Sequence, residues 1–210
     1  MDTTANRYRH ILSAYLPEAA VERVFRYLDR HRIHLHITRG RSTKLGDYRR
    51  PGPGHERHAI SINGDLNPYL FLWVFLHEAA HLETHLHHPH AQPHGHEWQG
   101  EYARLLDEYA GLFPEEAQPL IHSYTSRIPL SRSVGRKIET LLLHHDPGYH
   151  PATTLDQQLP GVRFRLKNKP ERLFEALEKR RTRWLCHCLD DGCQYLVSGT
   201  AEIEPEQTAQ

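Results

Sequence analysis

The sequence predicts an α+β fold from three patterns: apolar residues at helical spacing through most of the chain, two short period-two stretches early in it, and a β-rich stretch near its end. Residues 4–16 place Tyr8, Ile11, Leu12 and Tyr15 on one helical face, and Pro17 opens a second helix turning Ala20, Val21, Val24, Phe25 and Leu28 inward. Ile33, Leu35 and Ile37 alternate with His34, His36 and Thr38, the period of a strand with one buried face. The Gly-, Pro- and Arg-rich stretch 39–58 reads as a loop or irregular hairpin, followed by a short strand at 59–62 that Asn63-Gly64-Asp65 stops. Asn67-Pro68 supplies a cap and a first-turn proline for a central apolar helix running to about residue 86. Pro89 and Pro93 bracket a histidine-rich loop, and a helix resumes over 97–112 with Trp98, Tyr102, Leu105, Leu106 and Tyr109 inward. A shorter helix follows Pro114, and another covers 133–144. These elements form one domain, 1–146, and a proline-bearing linker, 147–160, separates it from a small β-rich basic module, 161–205, with a tail at 206–210. In that module, residues 162–166 alternate, and strands at 182–187 and 194–197 flank the turn signal Asp190-Asp191-Gly192.

Composition narrows the class. With 38% hydrophobic and 25% charged residues over 210 positions, the chain is that of a soluble globular protein with one main core and an appendage. Its 26 basic and 26 acidic residues cancel, so no long-range field draws the whole molecule to nucleic acid or membrane, and any such attraction must be local. The first 16 residues lack the layout of a secretory signal, and the longest apolar run, 69–76, is too short to span a bilayer, so the expected location is cytoplasmic, with no membrane partner. Three closely spaced cysteines, Cys186, Cys188 and Cys193, argue for reduced thiols rather than a disulfide framework. Histidine is the anomaly: of 19 in the chain, eight lie between His77 and His96.

Within that concentration stands His77-Glu78-Ala79-Ala80-His81 on the central helix. Residues four apart share a helical face, so His77 and His81 can present two imidazoles to one metal ion, with Glu78 near a coordinated water. Imidazole suits Zn2+, the cation lowers the water's pKa, and a carboxylate takes the proton and later delivers it to a leaving amine. The five-residue pattern alone would arise by chance with a probability of roughly 0.1, but its place directly after an apolar run on the strongest helix is where a buried catalytic helix belongs. Two histidines and a water leave a tetrahedral site one ligand short. His94 is the preferred third ligand, because Gly95 frees the backbone just before a helix and lets the imidazole turn back. His96, Glu97 and Glu101 compete at the start of the same helix, and His85, His87, His88 and His90 read as a solvated helix end and loop.

The segment from Lys44-Leu45-Gly46 through Ile60-Ser61-Ile62-Asn63, then His77-Glu78-Ala79-Ala80-His81, then His94-Gly95-His96-Glu97-Trp98, resembles the SprT-like domain in three ordered parts, over roughly residues 5–112. That family includes the Spartan DNA–protein crosslink proteases. The resemblance implies a zincin-like fold for the main domain, zinc held by His77, His81 and His94, and Glu78 as the catalytic residue. It also implies a protein or peptide substrate, including DNA-bound protein. Members commonly end in a cysteine-rich zinc ribbon, from which this chain departs: three thiols in an unusual spacing are not two separated pairs, and small residues packed in a hairpin are the plainer reading.

A DNA partner would be met through residues 163–183, where Arg163, Arg165, Lys167, Lys169, Arg172, Lys179, Arg180, Arg181 and Arg183 face only Glu171, Glu175 and Glu178. Phe164, Phe174 and Trp184, interleaved with them, are placed by sequence to stack bases; the competing reading is a solvated charged face offset by Glu202, Glu204 and Glu206. Arg39, Arg41, Lys44, Arg49 and Arg50 form a second basic group near the expected centre. The sequence thus points to a zinc metallopeptidase, with two alternatives: a zinc- and nucleic-acid-binding SprT-like protein without efficient proteolysis, and a histidine-rich metal-storage protein. Glu78 favours the peptidase, since a pure binder needs no base beside its metal.

Overall fold

In the computed structural model, which describes residues 3–54, 56–146 and 153–206, the chain divides into two compact units, Met1–Tyr149 and His150–Gln210. Both units together are α+β.

The first unit begins with α1 (Thr3–Ser13) and α2 (Glu18–Arg30), whose inward residues Leu12, Ala20, Val24 and Leu28 are buried. A three-stranded sheet follows, of β1 (His34–Thr38), β2 (Gly46–Arg49) and β3 (Ala59–Asn63), in the order β1-β3-β2. β1 runs parallel to the central β3, and β2 antiparallel to it as an edge strand. Ile60 and Ile62 are fully buried, the period-two signature of a strand with one face against a core. β2 lies inside the stretch expected as a loop or irregular hairpin. Its sequence, Gly46-Asp47-Tyr48-Arg49, has no apolar alternation to announce it. What holds it is backbone pairing and a clasp around buried Asn63: the Asn63 amide donates to Arg41 O (3.1 Å) and Lys44 O (3.3 Å), and Arg41 Nε donates to Asn63 Oδ1 (2.8 Å).

The centre of the unit is α3 (Pro68–His87), 20 residues long. Asn67 caps it, its side-chain oxygen accepting from Tyr69 N and Leu70 N (3.1 Å each) while its amide donates to Leu142 O at 3.0 Å. Every residue from Leu70 to Leu76 is buried, so this end of α3 has no solvent face and is packed all round. α4 (His96–Tyr109) continues into a 3-10 turn (Ala110–Leu112), and α5 (Gln118–Thr125) and α6 (Arg132–Leu143) complete the unit. Among the described residues no helix is long and apolar enough to cross a membrane.

The second unit is a five-stranded antiparallel sheet, β4 (Arg163–Leu166), β5 (Lys169–Arg180), β6 (Arg183–Cys188), β7 (Gln194–Ser198) and β8 (Ile203–Pro205), in the order β7-β6-β5-β4-β8. The β6–β7 turn falls at the Asp190-Asp191-Gly192 signal, where Gly192 takes φ 69°, the left-handed conformation that glycine adopts without steric cost. Of the linker expected at 147–160, residues 147–152 lie outside the described residues, and so do 207–210 of the tail. Part of the rest of that stretch is anchored: Leu155 is fully buried in this unit's core, and Asp156 Oδ1 accepts from Trp184 Nε1 at 2.8 Å, while Leu159 is exposed. Its prolines suggested a linker, whereas one buried leucine and an indole hydrogen bond anchor it.

Phe75 is fully buried and meets Tyr27 edge-on at 5.7 Å. Phe75→Ala should lower the urea-unfolding free energy by about 3–5 kcal/mol. Leu196→Ala, at a side chain 50% exposed, should change it by less than about 0.5 kcal/mol. Equal effects of the two would contradict this core.

Candidate metal centre

α3 and the loop entering α4 bring together the three histidines expected as ligands. His94 Nε2 lies 3.1 Å from His81 Nε2 and 3.2 Å from His77 Nε2, and all three ligand atoms fall within 4.8 Å of one another. Two neutral imidazoles can share one N–H···N bond, but three ring nitrogens aimed at one point cannot all be satisfied that way, and their lone pairs repel. A cation at the common point removes the conflict. Four-coordinate zinc with bonds of 2.0–2.1 Å requires ligand nitrogens about 3.3 Å apart, close to the separations here. The donor set therefore fits zinc, with three imidazoles and one position open.

Burial prepares the imidazoles for that role. It holds the His77 pKa down at about 3 and the His81 pKa at about 4, and neighbouring imidazole charges push in the same direction. Burial lowers His94 as well. All three are therefore neutral ligands at pH 7. Trp98, itself buried, lies against all three rings, with centroids 4.7, 5.3 and 4.6 Å from His77, His81 and His94. Tyr48 on β2 lies parallel to the His81 ring at 6.4 Å.

His94 reaches the others by a different backbone device from the one expected. The left-handed residue is His94 itself, φ 57°, while Gly95 has φ −68°. A non-glycine residue in that region costs on the order of 1 kcal/mol. Here the kink is held by Gly95 N donating to Gln92 O (2.9 Å) and by Gln99 Nε2 donating to His94 O (3.1 Å). Gln99 in turn accepts from Leu130 N at 2.8 Å. Glycine is needed at 95 for room, because a Cβ there would come 2.9 Å from Gln92 O.

Glu78 is buried beneath the edge strand, and accepts a hydrogen bond from the Tyr48 backbone N–H. Burial pushes its carboxyl up to about 7, the Asp47 charge adds to the rise, and the Tyr48 N–H opposes it. The approach depends on Gly46: a Cβ there would lie 2.5 Å from Glu78 Oε1 and 2.7 Å from Val74 Cγ1. Gly46, Tyr48 and Gln99 thus position the centre; of the three only Gly46 lies in a motif named from the sequence, and there it carried no stated role.

The competing ligands stand elsewhere. His96 and Glu97 are exposed and belong to no metal-capable group among the described residues. Glu101 faces a second cluster with Glu83 and His87, where it takes hydrogen bonds from His87 Nδ1 (2.8 Å) and Arg104 Nε (2.9 Å). His85 packs edge-on against His58 at 5.9 Å. In the basic group of 39–50, Arg41 is tied to Asn63, and Lys44 and Arg49 both pair with Asp47. The thiols assemble no metal-capable group among the described residues: Cys186 and Cys188 are buried and Cys193 is exposed. Base stacking by Phe164, Phe174 and Trp184 is overturned, because these rings are at most 3% exposed and form the core of the second unit.

No family model, curated protein or solved structure matches the chain.

The lowered imidazole pKa values carry a stability consequence in chelator-treated protein. Unfolded, His77 and His81 take protons near pH 6.5; folded, near 3 and 4. Between those limits the unfolded chain binds more protons, so stability falls as pH drops from about 6.5 towards 4. His77→Gln should flatten that fall in a thermal-unfolding series, and an unchanged pH slope would show that folding does not hold His77 neutral.

Proposed function

We propose that this chain is a zinc-dependent metallopeptidase of SprT-like type with a zincin-like main domain, and that Glu78 is its general base. The observation that carries the reading is the convergence of His77, His81 and His94 nitrogens next to a buried carboxylate. When bound, zinc would supply Lewis acidity at the open position. The chain's residues do the rest. Glu78, its pKa raised by burial to about 7 and its carboxylate fixed by the Tyr48 N–H, is poised to take a proton from a water and return it to the leaving amine nitrogen. With a cation at the histidines, the Glu78 pKa would fall against the effect of burial and the carboxyl would stay ionised at pH 7.

The strand beside the base suits a polypeptide substrate. Leu45 O accepts from Asn63 N, so the residues of β2 alternate between β3 and the free edge, and Tyr48 N points to Glu78 on that edge. An extended peptide can add to such an edge through main-chain hydrogen bonds. A metal-storage protein has no use for this arrangement and would take up several ions per chain, whereas the three-histidine centre holds one.

A DNA-bound protein as substrate rests on a narrower footing. In the basic segment, Lys167, Arg172 and Lys179 pair with Glu202, Asp191 and Asp156. Arg180, Arg181 and Arg183 are exposed at the β5–β6 turn and have no ion pair among the described residues. Contact there is to phosphates rather than bases. Charge reversal of all three should weaken single-stranded DNA binding and lower the salt slope by roughly one per lost contact. Unchanged affinity and slope would leave that turn a solvated face.

The proposed chemistry is tested at Glu78. Zinc-loaded Glu78→Gln should retain one equivalent of metal and lose about 100- to 10,000-fold in peptide hydrolysis, because an amide cannot accept the proton. His94→Ala should lose the metal. Full hydrolysis by a metal-verified Glu78→Gln preparation would assign the base to another group.

A further inference from the structure

A cavity of about 430 Å³ opens beside the centre, with His77 and His94 in its wall. Its aromatic lining includes Trp73, Trp98, Tyr102 and Tyr124. The Trp98 Nε1–H and the Tyr102 hydroxyl are buried and have no hydrogen-bond partner among the described residues. Orphaned polar groups of this kind are uncommon in folded proteins, and both atoms are closed off from solvent, so the rings rather than these two atoms face the open space.

The opposite side comes from one face of α6. Arg132, Gly135, Arg136 and Glu139 follow at i, i+3, i+4 and i+7, and Gly135 lies opposite Tyr124 with room for a Cβ between them. Arg132 and Arg136 are exposed and have no ion pair among the described residues, whereas Glu139 accepts from Trp73 Nε1 at 3.4 Å. The charge around the cavity is therefore two cations against one anion. The remaining polar side chain, Gln99, is already committed to His94 and Leu130.

We infer that this cavity receives an acidic side chain of the substrate, its flat apolar stem between the aromatic rings and its carboxylate towards Arg132 and Arg136. It deepens the peptidase reading by naming what the centre selects: polypeptide with Asp or Glu next to the bond that is cut. A leucyl side chain would leave the guanidiniums unanswered, and a lysyl one would meet them with like charge.

The test separates binding from catalysis. Metal-free full-length protein is titrated with N-acetylglutamate amide, N-acetylleucine amide and N-acetyllysine amide, and the indole N–H signal of Trp98 is followed by NMR. The glutamate compound alone should saturate the signal, and Arg132→Glu/Arg136→Glu should weaken it at least about tenfold. Zinc-loaded wild type is then given a mixed peptide library, and the cut sites are read by mass spectrometry. Acidic residues should be enriched next to the cut, and the enrichment should be lost in the double variant. Equal binding of the three compounds, or cleavage without acidic preference, overturns the inference and leaves the peptidase reading standing. Selective glutamate binding with no zinc-dependent cleavage overturns the peptidase reading, and the cavity remains an acidic-side-chain site.

Discussion

Burying the first turns of α3 on every side constrains all that follows in this molecule. A helix with no solvent face over Leu70–Leu76 cannot rotate or slide without opening the core, so the directions in which its later residues point are fixed. His77 and His81 then emerge on one face, about 6 Å apart along the axis, while Glu78, one position on, is turned roughly 100° away towards β2. The proposed chemistry would need its base and its ligands held by one rigid element, and this helix carries Glu78, His77 and His81 together.

The parts of the fold legible in the sequence are those where burial imposes a period. Leu35 and Ile37 against His36 marked β1, and the run through Phe71, Phe75 and Leu76 marked α3, because a half-buried strand and an enclosed helix each leave a pattern in the residue types. β2 left none. Its four residues are held by the β3 backbone and by the Arg41–Asn63 clasp, interactions that spread over 22 positions of sequence and select no alternation. The same holds for β5, where Lys, Arg and Glu on the outer face obscure the inward Phe174 and Ala176.

At the centre, residue types were readable and backbone geometry was not. The ligand spacing in His77-x-x-x-His81 follows from helix pitch, so sequence suffices. The route of His94 depends on which of two adjacent residues takes the positive φ, and glycine's freedom makes Gly95 the natural choice. The Gln92 carbonyl closes off that reasoning: it lies where a Cβ at 95 would go, so glycine serves for clearance and the kink moves to the histidine. A comparable displacement took Phe164, Phe174 and Trp184 into the core of the second unit. Aromatics interleaved with arginines describe a nucleic-acid surface only when they share the outer face, and here cross-strand pairing of Phe164 with Phe174 puts both rings on the inner one.

α3 also carries a second group of histidine and glutamate, and the difference between the two groups is what makes the first the better candidate for a metal. In the second, Glu83 accepts from the Tyr27 hydroxyl (2.7 Å), and Arg104 lies 2.9 Å from Glu101 and 3.7 Å from Glu83. His87 and Arg104, through their hydrogen bonds to Glu101, prevail over burial and hold its carboxyl below the usual range. Every charge there has a protein partner, and a metal ion would first have to displace a guanidinium. The three-histidine group holds the opposite balance: three converging ring nitrogens, no other side chain among the described residues bonded to them, and burial that lowers all three pKa values, to about 3 for His77 and about 4 for His81. One N–H···N bond can join two of these rings at a time, and a divalent cation at the common point would satisfy all three, which is why the group is a candidate metal centre.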